Sequence, residues 1–197
     1  MGTPVLLLLA LLLLVGCNRG ASNSSVATPV ESTITYANLP TGLGRGYPIL
    51  SFEGLDEGVQ GLVPGQPAPN FRMVLDDGNS LTLEDLHGSP ILINFWATWC
   101  GPCRIEMPDI VRHSNEEEDL IVLAVNVQEE LEDIQGFATD FQMEMPVLRD
   151  TEGDLRRIYD LRGMPTSIFI DRAGNVTAVW PGVLTPSQIE ELLADIL

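Results

Sequence analysis

Apolar residues fall into two regimes along the chain. The first is one unbroken run at residues 5–15, VLLLLALLLLV. As a helix it spans about 16 Å at roughly 1.5 Å per residue, well short of the roughly 30 Å of a hydrocarbon core. That length fits the apolar part of an export signal. Residues 18–33, NRGASNSSVATPVEST, hold too little apolar content to pack and read as a flexible spacer. Residues 34–63 include the turn-rich LPTGLGRGYP. They read either as an irregular segment ahead of the domain or as one docked on its surface.

The second regime begins near residue 62 and is regular. Short apolar runs at 71–75 and 80–83 flank Asp76-Asp77-Gly78-Asn79, a hairpin signal. Residues 84–87 predict a short turn of helix stopped by Gly88. Residues 90–96, PILINFW, are dense enough for a central strand covered on both faces. A helix is predicted over 101–115, then a second buried strand at 120–127, LIVLAVNV. Ile134, Phe137, Ala138 and Phe141 share one face of a predicted helix over 131–141. A helix over 153–161, a strand at 166–171, a turn at 171–175 and a returning strand at 176–180 follow. The last helix, 185–197, has Thr185 to cap it, Pro186 in its first turn and a stripe of Ile189, Leu192, Leu193 and Ile196.

This alternation predicts an α/β sandwich with a central mixed sheet flanked by helices. The expected layout is a leader at 1–17, a spacer and pre-domain segment at 18–60, and one domain at 61–197.

Charge narrows the partners. The net charge is −18, and all ten basic residues are Arg. Phosphate recognition needs clustered basic side chains; none are clustered here, so nucleic acid is not an expected partner. The acidic runs at 116–119 and 129–133 read as solvated faces that keep the protein soluble.

Chemistry concentrates in the cysteines. A disulfide framework needs several separated pairs, and there are only Cys17, Cys100 and Cys103. The last two lie in Trp99-Cys100-Gly101-Pro102-Cys103, where a predicted buried strand runs into a predicted helix. Two intervening residues let the sulfurs close a small ring. The helix N-terminus favours thiolate on the first sulfur, and Gly101 and Pro102 set the turn and tune the potential. A zinc site would need further ligands, and His87 and His113 stand at no ligand spacing. Both histidines read as surface or helix-end residues. A disulfide across so short a loop adds little stability. The pair therefore reads as a redox dithiol, with no metal or other cofactor. Cys17 follows Leu14-Val15-Gly16, which resembles the bacterial lipobox. That resemblance implies lipid on Cys17 and a mature domain tethered outside the cytoplasm; an ordinary cleaved signal is the competing reading.

From about Gly65 to Leu197 the chain resembles the thioredoxin superfamily, in its extracytoplasmic branch of TlpA-, ResA- and DsbE/CcmG-like redoxin domains. Four motifs carry the resemblance: Gly65-Gln-Pro-Ala-Pro-Asn-Phe71, residues 94–108, residues 143–150 and Gly163-Met-Pro-Thr166. It implies a thioredoxin-like sandwich with an N-terminal β-hairpin and a central insert ending at 143–150. It also implies a cis bond before Pro165, with Met164, Pro165 and Thr166 lying beside Cys100 to receive substrate. Glu106, one helical turn beyond Cys103, is where this branch keeps an acid that moves protons. General thioredoxins place theirs in the preceding strand, where this chain has Asn94. A solvent-facing helix glutamate is the alternative reading of Glu106.

The expected activity is dithiol–disulfide exchange on exported proteins. The resemblance implies reduction of apocytochrome c during cytochrome c maturation, with a membrane redox partner resetting the pair. A monomer is expected. Two alternatives fit less well. A redoxin-type peroxidase needs Thr or Ser three residues before its cysteine, where Ala97 stands before Cys100. A Sco-like copper module needs CxxxC and a later His, and no His follows His113.

Overall fold

The structure is a computed structural model that describes residues 2, 49–54, 61–74 and 80–197. The apolar run at 5–15, Cys17, the spacer at 18–33 and the turn at 76–79 lie outside the described residues. In chain order the elements are β1 (Ile49–Gly54), β2 (Phe71–Val74), β3 (Ser80–Thr82), β4 (Ile91–Trp96), α1 (Gly101–Glu116), β5 (Ile121–Val127), α2 (Leu131–Asp140), β6 (Val147–Asp150), α3 (Asp154–Ile158), β7 (Thr166–Ile170), β8 (Val176–Pro181) and α4 (Pro186–Ala194). Among the described residues, a 3-10 turn, Glu84–Leu86, precedes β4.

The strands form one sheet in the order β3-β2-β1-β6-β5-β4-β7-β8. Its middle, β1, β6, β5 and β4, is parallel. The pairs β1–β2, β2–β3, β4–β7 and β7–β8 are antiparallel. Every residue of β4 and β5 is buried, as their dense apolar runs require of strands covered on both faces. Alternate side chains of β4 supply two cores. Ile91, Ile93 and Phe95 pack with the hairpin, α3 and Tyr159 on one face. Leu92 and Trp96 pack with α1, α2 and α4 on the other.

The sheet starts upstream of the domain boundary expected at residue 61. The segment read as irregular or docked on the domain contains β1, which pairs with β2 on one side and β6 on the other. Its pattern was short: Leu50 is buried, Phe52 half-buried, and Ser51 and Glu53 exposed. Two pairing edges, rather than a long apolar run, make it a strand. Residues 147–150, read only as the end of an insert, form β6 between β1 and β5. The helix expected at 153–161 is shorter. It stops at Ile158, and Asp160 takes a left-handed conformation at φ 49°.

Candidate active site

The cysteine pair sits where β4 ends. Trp96 is fully buried and pairs with Asn126 of β5, so the strand is held up to its last residue. Residues 97–99 then turn the chain, and Cys100 becomes the N-cap of α1, with φ −77° and ψ 102°. Its Sγ accepts the Cys103 backbone N–H at 3.2 Å. Cys100 and Cys103 are disulfide-bonded, with Cα atoms 5.3 Å apart. Cys100 is 4% exposed and Cys103 not at all. The sulfur at the helix N-terminus is therefore both the better stabilised thiolate once the bond is reduced and the more accessible of the two. Gly101 and Pro102 are exposed in the first turn. Trp99 and Ile105 each leave 70% of their surface in solvent, an apolar margin around the sulfurs.

Glu106 is not a solvent-facing glutamate. It is 1% exposed, and both carboxylate oxygens are bound. Asn94 Nδ2 donates to Oε1 at 2.8 Å, and the Leu184 backbone N–H donates to Oε2 at 2.8 Å. Burial raises its pKa from 4.5 to about 6, against the opposing effect of those two donors. It is thus a carboxyl group able to change protonation near neutral pH, one turn from Cys103. Asn94 Nδ2 also donates to Ser167 Oγ at 3.0 Å. The network therefore joins β4, α1, β7 and the loop before α4.

The loop before β7 carries the Met164–Pro165 peptide bond, which is cis. Thr166 pairs with Phe95, near the end of β4, so this loop leaves the sheet beside the strand that feeds the cysteines. Pro165 O accepts the Gly182 N–H at 2.8 Å, and Thr166 Oγ1 donates to Gly163 O at 2.9 Å. Met164 is half-buried against the core that contains both cysteines.

Two readings of polar residues change. His113 is 4% exposed, facing Arg112 Nη2 at 3.1 Å, and burial lowers its pKa. It stands in the last turn of α1, a helix-end position as expected, but buried rather than at the surface. Glu129, taken as part of a solvated acidic run, is half-buried. It accepts Thr98 N–H at 2.7 Å, the Thr98 hydroxyl, and Asn126 Nδ2 at 2.6 Å. Charge-run reasoning hid it; the available signal was its place just after a buried strand carrying Asn126. Ser167 and the Leu184 N–H were also missed, because nothing in local sequence links positions so far from Glu106.

A dithiol at a helix N-terminus, fed by the central strand of a mixed sheet and flanked by a cis-proline loop, defines a thioredoxin-like redox protein. Residues 64–179 match the AhpC/TSA family, and the chain belongs to that family. It is 31% identical over 150 residues to the thiol-disulfide oxidoreductase ResA of Bacillus subtilis (strain 168), covering 75% of this chain and 83% of that protein. A DsbE-type thiol:disulfide interchange protein from Chlorobium tepidum is similar in structure, with a TM-score of 0.62 and 32% identity over 68% of this chain and 97% of that one. So is the exposed lipoprotein thioredoxin Etrx1 of Streptococcus pneumoniae strain TIGR4, with a TM-score of 0.56, 28% identity, and coverage of 64% and 99%. The chain is a thiol–disulfide oxidoreductase of thioredoxin-like fold.

Proposed function

We propose that the protein is a lipid-anchored extracytoplasmic reductase of disulfides in exported proteins, with apocytochrome c among its substrates. The observation that carries this reading is Glu106, buried one turn beyond a fully buried Cys103 with a pKa of about 6. In the reducing direction, Cys100 thiolate attacks one sulfur of a substrate disulfide. A mixed disulfide forms and the first substrate thiolate leaves. Cys103 then gives up its proton, with Glu106 as the local acceptor, and its thiolate attacks Cys100 Sγ. The second substrate thiolate leaves, and the Cys100–Cys103 bond closes. Two electrons pass to the substrate, and a membrane redox partner supplies two more to reduce the Cys100–Cys103 bond again. Trp99, Gly101 and Pro102 shape the approach, and the backbone at Met164, Pro165 and Thr166 receives the substrate strand.

Location rests on the leader. The apolar run at 5–15 and Cys17 fit a lipoprotein signal, and the pneumococcal protein is itself described as an exposed lipoprotein. Among the described residues no helix is long and apolar enough to cross a membrane. Replacing Cys17 by Ser should release the protein from the membrane fraction.

Trapping tests the mechanism. Cys103→Ser should accumulate mixed disulfides with exported proteins on Cys100, and Cys100→Ser should accumulate none. A reduction potential near that of strong oxidants, about −120 mV, would overturn the reducing assignment.

A further inference from the structure

Thr98 lies two residues before Cys100, in the turn that delivers this sulfur to the N-terminus of α1. One carboxylate takes both of its donors: Glu129 Oε2 accepts the Thr98 N–H at 2.7 Å, and Oε1 accepts the Thr98 hydroxyl. Glu129 Oε2 also accepts Asn126 Nδ2 at 2.6 Å. Asn126 is fully buried on β5, directly paired with Trp96. The carboxylate is therefore a strut from the buried Asn126 on β5 to the turn that carries Cys100. Within that turn, the backbone bond from Cys100 N–H to Ala97 O is 3.2 Å long.

All three donors are neutral, and among the described residues no ion pair offsets the partial burial of this charge. Charge-assisted bonds to backbone and side-chain donors hold it instead, and these are stronger than neutral ones. We propose that Glu129 is a positioning residue for thiol exchange: by fixing Thr98 it holds Cys100 Sγ where the Cys103 N–H reaches it. The inference rests on Cys100 being the attacking sulfur.

Two effects of Glu129 oppose each other, which makes the proposal testable by sign. As a bare negative charge, it disfavours thiolate on Cys100, so its removal would speed the reaction. As a strut, it keeps the Sγ acceptor geometry that stabilises thiolate, so its removal slows the reaction. Thr98→Val breaks the hydroxyl contact without changing any charge. The strut therefore predicts the same direction for Glu129→Gln and Thr98→Val, whereas the charge effect predicts a change only in the first.

The experiment measures alkylation of the reduced protein by iodoacetamide from pH 5 to 9, with mass spectrometry assigning the modified cysteine. Glu130→Gln serves as control, since it removes a neighbouring exposed acid and leaves the strut intact. Glu129→Gln and Thr98→Val should each slow modification at pH 6 by about threefold to tenfold, moving the profile to higher pH. Both should also shift the Cys100–Cys103 potential to more negative values, because the reduced form loses thiolate stabilisation. Faster alkylation in Glu129→Gln with no change in Thr98→Val would overturn the proposal, as would rates matching Glu130→Gln in both. If Glu129→Gln fails to fold, Thr98→Val decides alone, since it keeps the charge. Modification mapping to Cys103 would instead overturn the assignment of the attacking sulfur, a result separable from any change in rate.

Discussion

Asn94 and Glu106 meet in the interior as amide and carboxylate, 2.8 Å apart, one on the central strand and the other on the active-site helix. Asn94 Nδ2 serves two acceptors, Glu106 and Ser167, while its own Oδ1 is buried with no hydrogen-bond partner among the described residues. Such an orphaned acceptor costs on the order of 1–3 kcal/mol. Turning the amide over would present Oδ1 to a protonated Glu106, so the pair has a partner arrangement for each protonation state.

Glu106 makes stability depend on pH in a defined direction. Its pKa is raised from 4.5 to about 6 on folding, so the unfolded chain releases this proton first. Its contribution is fully present below pH 4.5 and is lost as pH rises through 6, a change of about 2 kcal/mol. Glu106→Gln should remove that slope. The difference between wild type and variant in urea midpoint, followed on oxidised protein from pH 4 to 7.5, isolates the effect from Asp150, whose pKa burial also raises.

Asn94→Ala should push the Glu106 pKa above 6, because the amide is one of two donors holding it down. The same urea series should then show the stability loss at higher pH. A midpoint unmoved from the wild-type profile would mean that the amide does not hold the carboxylate in solution.

Gly174 occupies the turn between β7 and β8 with φ +86°, and a Cβ there would lie 2.1 Å from His87 Nε2. Gly174→Ala carries both a left-handed backbone cost, about 1–2 kcal/mol, and a collision. His87 is exposed and able to swing away. Adding His87→Ala should relieve only the collision, so thermal unfolding of the double variant should stay below wild type.

Thr185 caps α4 in a reciprocal box. Its side chain accepts the Gln188 N–H, and the Gln188 side chain accepts the Thr185 N–H at 2.9 Å. Thr185→Ala should cost about 1 kcal/mol of stability. The loop next to it supplies the Leu184 N–H to Glu106, so the variant should also raise the Glu106 pKa. Thr185→Ser should restore both, as read by the urea series.

The legible parts of this molecule are those in which local pattern and local chemistry coincide. β4 and β5 announce themselves because strands buried on both faces are apolar at nearly every position. The Cys100–Cys103 spacing carries its own chemistry. β1 and β6 were obscure because each is short and owes its place to neighbours distant in sequence. Glu106 drew notice through its spacing from Cys103, yet its burial depends on Asn94 and on Leu184, which is 78 positions away. Glu129 was hidden by a good general rule, that runs of acids face water. The exception came from one buried asparagine at the end of β5.

Leu184 lies in a loop, yet its amide is directed into the protein at a carboxylate. In hydrogen-exchange terms it should behave like a core amide, slow to trade its proton for deuterium although it lies outside any helix or strand. Protonating Glu106 weakens the acceptor, so that protection should fall once the intrinsic pH dependence of exchange is removed. A single backbone position, well away in sequence from the cysteines, then counts the protons of the active site.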